Sequence, residues 1–106
     1  MTLSELLEEL KATDPENELE ISDITLNLDQ WSAPYKDDII QGRIQRACER
    51  RGWPVVLSFD CDPDHPHTWV AEICDGWALL GMAVGHESPS EALLAAYVAA
   101  VKEEKR

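Results

Sequence analysis

Apolar positions recur at helical spacing near both ends of this chain and alternate with polar ones in the middle. Leu3, Leu6, Leu7 and Leu10 repeat at steps of three and four, which puts them on one face of a short helix over residues 3–12. Thr2 followed three positions later by Glu5 is the pattern of a capping box at its start. Asp14-Pro15-Glu16-Asn17 then reads as a turn or linker. The stretch from Leu19 to Leu28 fits two templates. Ile21, Ile24 and Leu28 suit a helix, Ile24, Leu26 and Leu28 alternate like a strand, and the pattern leaves the choice open.

Trp31-Ser32-Ala33-Pro34 breaks the chain again, and a second helix is predicted from Tyr35. Asp37 and Asp38 fall in its expected first turn, where carboxylates meet the positive end of the helix dipole. Ile40, Ile44 and Cys48 lie on one face with Ala47 beside them, and Gly52 is placed to end the helix after Arg50 and Arg51. Three strands follow. Val55, Leu57 and Phe59 alternate with Val56, Ser58 and Asp60, and Trp69, Ala71 and Ile73 alternate with Val70, Glu72 and Cys74. Asp75-Gly76 is a two-residue hairpin signal. The run Trp77 to Val84 returns as a third strand, and its apolar character on both faces predicts cover on both sides. Ser88-Pro89-Ser90-Glu91 opens a last helix, with Ser88 as N-cap, Pro89 at its first position and Glu91 closing the capping box. Leu93, Leu94, Tyr97, Val98 and Val101 supply its apolar side, and Ala92, Ala95, Ala96, Ala99 and Ala100 allow close approach to a sheet.

The expected order is therefore α-α-β-β-β-α. Short connections between neighbouring strands imply a three-stranded antiparallel meander packed with helices, an α+β fold. A chain of 106 residues supports one core, so residues 1–106 are read as a single domain.

Charge narrows the possible partners more than composition does. The net charge is −12, and residues 1–30 alone carry nine carboxylates against Lys11. Such an imbalance argues against direct nucleic-acid binding and favours a cationic partner. Glu16, Glu18, Glu20, Asp23 and Asp29 are the expected partner-binding residues of that acidic segment. No stretch of about 18 apolar residues is present to span a membrane, and the N-terminal residues lack the basic and apolar regions of a secretion signal. Three cysteines with no CxxC pair fit a reducing cytoplasm better than a disulfide framework.

Trp31-Ser32-Ala33-Pro34 ahead of a helix, a Trp-bearing hairpin, and Gly85-His86-Glu87-Ser88-Pro89-Ser90-Glu91-Ala92-Leu93 leading into an Ala-rich helix together resemble the phage ABA-sandwich domain proteins. The resemblance covers roughly residues 29–103 and leaves the acidic N-terminal portion outside, so 31–106 would be the ABA-sandwich-like core. It implies a phage or prophage origin and a short sheet between helical layers, with no catalytic residues to carry over. Small acidic phage proteins include inhibitors of host defence, among them anti-CRISPR proteins and DNA mimics, an analogy of charge and size.

Four groups of side chains compete for a role. Cys61, Asp64, His65 and His67 are the densest metal-capable set, but their spacing matches no common zinc pattern, and Pro63 and Pro66 make the stretch read first as a hairpin tip. A Cys/His nucleophilic site at Cys61 lacks an oxyanion pocket or third group in the sequence. Cys48 and Cys74 read as packing residues. Lys36, Arg43 and Arg50, with Arg46 near them, could grip phosphate, yet four cations in so acidic a chain read better as a solvated helix face. Of Trp31, Trp53, Trp69 and Trp77, the hairpin pair Trp69 and Trp77 is expected in the core, and Trp31 and Trp53 at partly exposed positions.

The expectation is a cytoplasmic, non-enzymatic acidic phage protein without cofactor that binds a basic surface of a host protein or nucleoprotein complex and inhibits host defence. The alternatives are a phage accessory protein that self-associates and a small metal-binding protein using the Cys61–His67 loop.

Overall fold

The computed structural model describes residues 2–13, 30–60 and 68–105. Three helices and three strands follow the expected order: α1 (Leu3–Thr13), α2 (Ala33–Arg51), β1 (Val55–Asp60), β2 (Thr68–Asp75), β3 (Ala78–His86) and α3 (Pro89–Glu104). The strands form one antiparallel sheet in the order β1-β2-β3. The fold is α+β.

Helices α1 and α3 start where a side chain satisfies orphan N–H groups, whereas the α2 N-cap Ser32 makes no side-chain capping bond. Thr2 and Glu5 close the capping box of α1: the Glu5 N–H donates to Thr2 Oγ1 at 3.2 Å, and the Thr2 N–H donates to Glu5 Oε1 at 3.2 Å. The bond from the Thr2 N–H, followed by the one that Thr2 Oγ1 donates to Glu5 Oε1 at 3.0 Å, holds the Glu5 carboxyl below its usual range. At α3 the Glu91 N–H donates to Ser88 Oγ at 3.3 Å, and Pro89 occupies a position where a missing N–H costs nothing.

Helix α2 begins two residues earlier than the sequence pattern predicted. Ser32 is its N-cap and Pro34 lies inside its first turn, so the proline that reads as a break instead helps start the helix. Asp37 and Asp38 are thereby moved out of the first turn. Asp37 serves another helix instead: its Oδ1 accepts the Ser90 N–H at 3.2 Å, a second anchor for the start of α3, while its Oδ2 accepts from Gln41 Nε2 at 2.7 Å. The far end of α2 follows expectation, with Gly52 at φ 72° in the left-handed region.

The centre of the molecule is α3. Ala92, Leu93, Leu94, Ala96, Tyr97, Val98, Ala100 and Val101 are all buried, so this helix is apolar nearly all round. It packs on β2 and β3 on one side and on α1 and α2 on the other. Leu6, Leu7 and Leu10 of α1 and Ile40, Ile44, Ala47 and Cys48 of α2 close the core over it. Glu9 pairs with Lys102, and Lys105 Nζ donates to the Thr13 carbonyl, which fasten α1 along the end of α3.

The strand register sorts side chains into two faces. Val55 pairs with Ile73 and Leu57 with Ala71, while Ile73 pairs with Gly81 and Ala71 with Ala83; these lie on the core side. Val56 pairs with Glu72, Glu72 with Met82, and Ser58 with Val70, on the opposite face. The small residues Ala71, Gly81 and Ala83 are buried where the helix approaches, and the larger Val56, Leu79, Met82 and Val84 are exposed. Strand β3 was expected to be covered on both sides. Among the described residues it is covered on one, because all three helices share a single core on that side. The resemblance implied a sheet between helical layers; among the described residues helices lie on one side of the sheet.

Candidate functional site

The open face of the sheet is the most unusual surface among the described residues. Val56, Leu79, Met82 and Val84 are between 47% and 59% exposed, with Val70 and Cys74 half-buried among them. A sheet face that points to water normally alternates polar residues outward. This face instead offers apolar side chains on all three strands around Glu72, the kind of surface that marks an interaction site. Glu72 sits in a row across all three strands between Val56 and Met82. Glu72 is half-buried, and its carboxylate has no ion-pair or hydrogen-bond partner among the described residues.

A register irregularity between Ile73 and Cys74 brings Leu79 onto this face. The strands close at Asp75 and Ala78, so the two turn residues are Gly76 and Trp77, not Asp75 and Gly76 as the dipeptide signal predicted. Gly76 has φ 61°, the positive value that a hairpin turn requires at its first central position. The one-residue shift decides the fate of Trp77. Expected in the core, it stands at the turn with 105% relative exposure. Its hairpin companion Trp69 does pack against the core and lies 4.9 Å from the Phe59 ring.

On the opposite side, Arg51 links the end of α2 to Trp53 and to α3. Its guanidinium carbon lies 4.6 Å from the Trp53 ring centre and 6.0 Å from that of Tyr97, and Nη1 donates to Glu104 Oε1 at 2.7 Å. Trp53, expected to be partly exposed, is buried beneath it; Trp31 is half-buried and meets Tyr35 edge-on at 5.2 Å. Beside Trp53 runs an open groove of about 310 Å³ lined by Gln45, Glu49, Trp53, Pro54, Val55 and Leu57. Of the expected basic stripe on α2, Arg46 and Arg50 are exposed and Lys36 and Arg43 half-buried.

The sequence-predicted site residues divide by location. Glu16, Glu18, Glu20, Asp23 and Asp29 lie outside the described residues, as do Cys61, Asp64, His65 and His67. Among the described residues there is no group of three His, Cys, Asp or Glu side chains placed to hold a metal. Cys48 is buried in the core as expected, and burial pushes its thiol up to about 11, slightly opposed by the Arg51 charge. Such a thiol is a poor nucleophile at neutral pH. No described helix is long and apolar enough to cross a membrane.

Sequence reasoning missed the open sheet face. The signal was present in the volumes: on the shared register, Ala71, Gly81 and Ala83 have one parity and Val70, Met82 and Val84 the other. Small residues mark the side that a helix backbone approaches, which leaves the large ones outside. No family model, curated protein or solved structure matches this chain.

Proposed function

We propose that this chain is a non-enzymatic acidic binding protein that docks on a basic surface of a host protein or protein–nucleic-acid complex and inhibits a phage-defence system there. The supporting observation is the charge: −12 over 106 residues, with residues 1–30 contributing most of the surplus. Carboxylates cannot grip phosphate, but they imitate its sign on a cationic groove and speed encounter through long-range attraction. The exposed acids Glu5, Glu8, Asp38, Glu49, Asp75, Glu87, Glu103 and Glu104 extend that field over the folded domain.

The test is phage plating on bacteria that carry an active nuclease-based defence. Expression of this chain should raise plaquing, and reversal of Glu16, Glu18 and Glu20 to Lys should remove the effect. Reversal of Glu103 and Glu104 should weaken it less. Unchanged plaquing on hosts carrying each major defence class, with the protein folded and expressed, would overturn the reading.

A further inference from the structure

Resting on the binding role proposed above, we infer that the open face of the sheet is the seat of one amphipathic, cationic helix of a partner protein, with a lysine or arginine of that helix directed at Glu72. The shape of the face selects the kind of occupant. Three strands span two inter-strand spacings, about 10 Å, which matches the diameter of one helix. On the opposite face of the same sheet one helix, α3, already packs along β2 and β3. Val56, Leu79, Met82 and Val84 provide the apolar bed on the open side.

Charge then selects the chemistry. Glu72 stands between Val56 and Met82 with no partner among the described residues. A purely apolar helix would strip water from this carboxylate and return nothing, whereas a cationic side chain would replace the lost hydration. A second copy of this chain fits poorly. A two-fold pairing of the face with itself would bring two Glu72 carboxylates together between chains that each carry −12. Residues 14–29 and 61–67 contain no lysine or arginine to offer Glu72.

The experiment uses the full chain and two synthetic helical peptides of leucine and alanine, one carrying lysine and the other glutamate on its polar side. Amide chemical shifts are followed by NMR through the titration. The lysine peptide should perturb β1, β2 and β3 around Val56, Glu72, Met82 and Val84, and the glutamate peptide should not. Glu72→Lys should weaken the lysine peptide by about tenfold or more, while Glu8→Lys, an equal change of charge at an exposed position of α1, should weaken it far less. Met82→Lys should also abolish binding with the fold intact. Perturbations scattered over the acidic surface, or equal losses from Glu72→Lys and Glu8→Lys, would overturn the inference. So would unfolding by both Met82→Lys and Val84→Lys, which would mean that the face is already covered within the chain. Concentration-dependent dimerisation abolished by the same variants would replace the helix by a second copy. The plaquing assay with the Met82→Lys variant separates the two readings: full inhibition by a variant that has lost the peptide leaves the proposed function standing and removes this face from it.

Discussion

A β-carbon placed on Gly81 would stand 2.1 Å from the carbonyl oxygen of Ala96. It would also lie 2.7 Å from the Ala100 backbone nitrogen. Both neighbours are backbone of α3, so no side-chain rotation can relieve the overlap. Gly81 therefore lets the central helix approach β3 more closely than any side chain there would allow.

Gly81→Ala should accordingly cost about 3 kcal/mol, the upper part of the range for overpacking a filled core. Ala83→Gly, one inward position along β3, should cost only about 1 kcal/mol by comparison. Urea denaturation of the two variants checks the contrast, and a Gly81→Ala protein as stable as the parent would mean that α3 sits farther from β3.

Trp77→Ser should change stability by no more than about 0.5 kcal/mol, as expected for an exposed side chain away from special features. It should remove the most water-exposed component of the tryptophan emission and shift the remaining spectrum to the blue. Trp53→Ser should instead destabilise strongly, because that ring is buried beneath Arg51.

The contrast between these two tryptophans shows where the sequence was legible. Elements fixed by local chemistry could be read: the Thr2–Glu5 and Ser88–Glu91 caps, the Gly52 stop, and the Ile40, Ile44 and Cys48 stripe that turns inward. Elements fixed by partners distant in the chain could not. The hairpin register depends on where β2 meets β3, and a shift of one residue sends a side chain to the other location; Trp77 moved from the core to the surface on that account. Pro34 read as a break because its compatibility with a first helical turn depends on Ser32 adopting an extended conformation. Asp37 read as a dipole partner of its own helix, and only the packing of α2 on α3 reveals it as an acceptor for Ser90. The candidate site was the least legible part. Period-two alternation tells which residues share a face, but the choice of covered face belongs to α3.

Asp37 and Ser88 hold the start of α3 from two directions, and their loss should be nearly additive. Ser88→Ala removes an acceptor for the Glu91 N–H and should cost about 1 kcal/mol. Asp37→Ala leaves the Ser90 N–H without its acceptor and should cost about 1–2 kcal/mol. Thermal unfolding of the single and double variants measures both. A double variant no worse than either single one would show that the two contacts act as a single cap.

Cys48 predicts a loss of stability at alkaline pH. Its thiol is raised from 9.0 to about 11 by burial. The unfolded chain therefore releases this proton at lower pH than the folded one. The contribution is fully present below pH 9.0 and is lost progressively as the pH rises toward 11. The difference in stability between the parent and Cys48→Ala should narrow across that window. In the native protein at pH 8, a disulfide reagent should modify Cys48 far more slowly than after unfolding in denaturant.

Arg51 makes both an ion pair and a ring contact, and solvent decides which of them matters. Its own side chain is 15% exposed, but that of Glu104 is 46% exposed, so water and salt screen the pair. The Trp53 ring lies under the guanidinium at 4.6 Å and is buried, where a cation–π contact is less screened. Glu104→Gln should therefore cost about 0.5 kcal/mol or less. Arg51→Lys, which keeps the charge but loses the planar group that stacks, should cost about 1–2 kcal/mol. Double-mutant cycles read by urea denaturation separate the two contacts: the coupling of Arg51→Lys with Trp53→Phe should exceed its coupling with Glu104→Gln, and should persist in high salt. A larger coupling to Glu104 that fades with salt would show that the ion pair, not the ring, joins the end of α2 to α3.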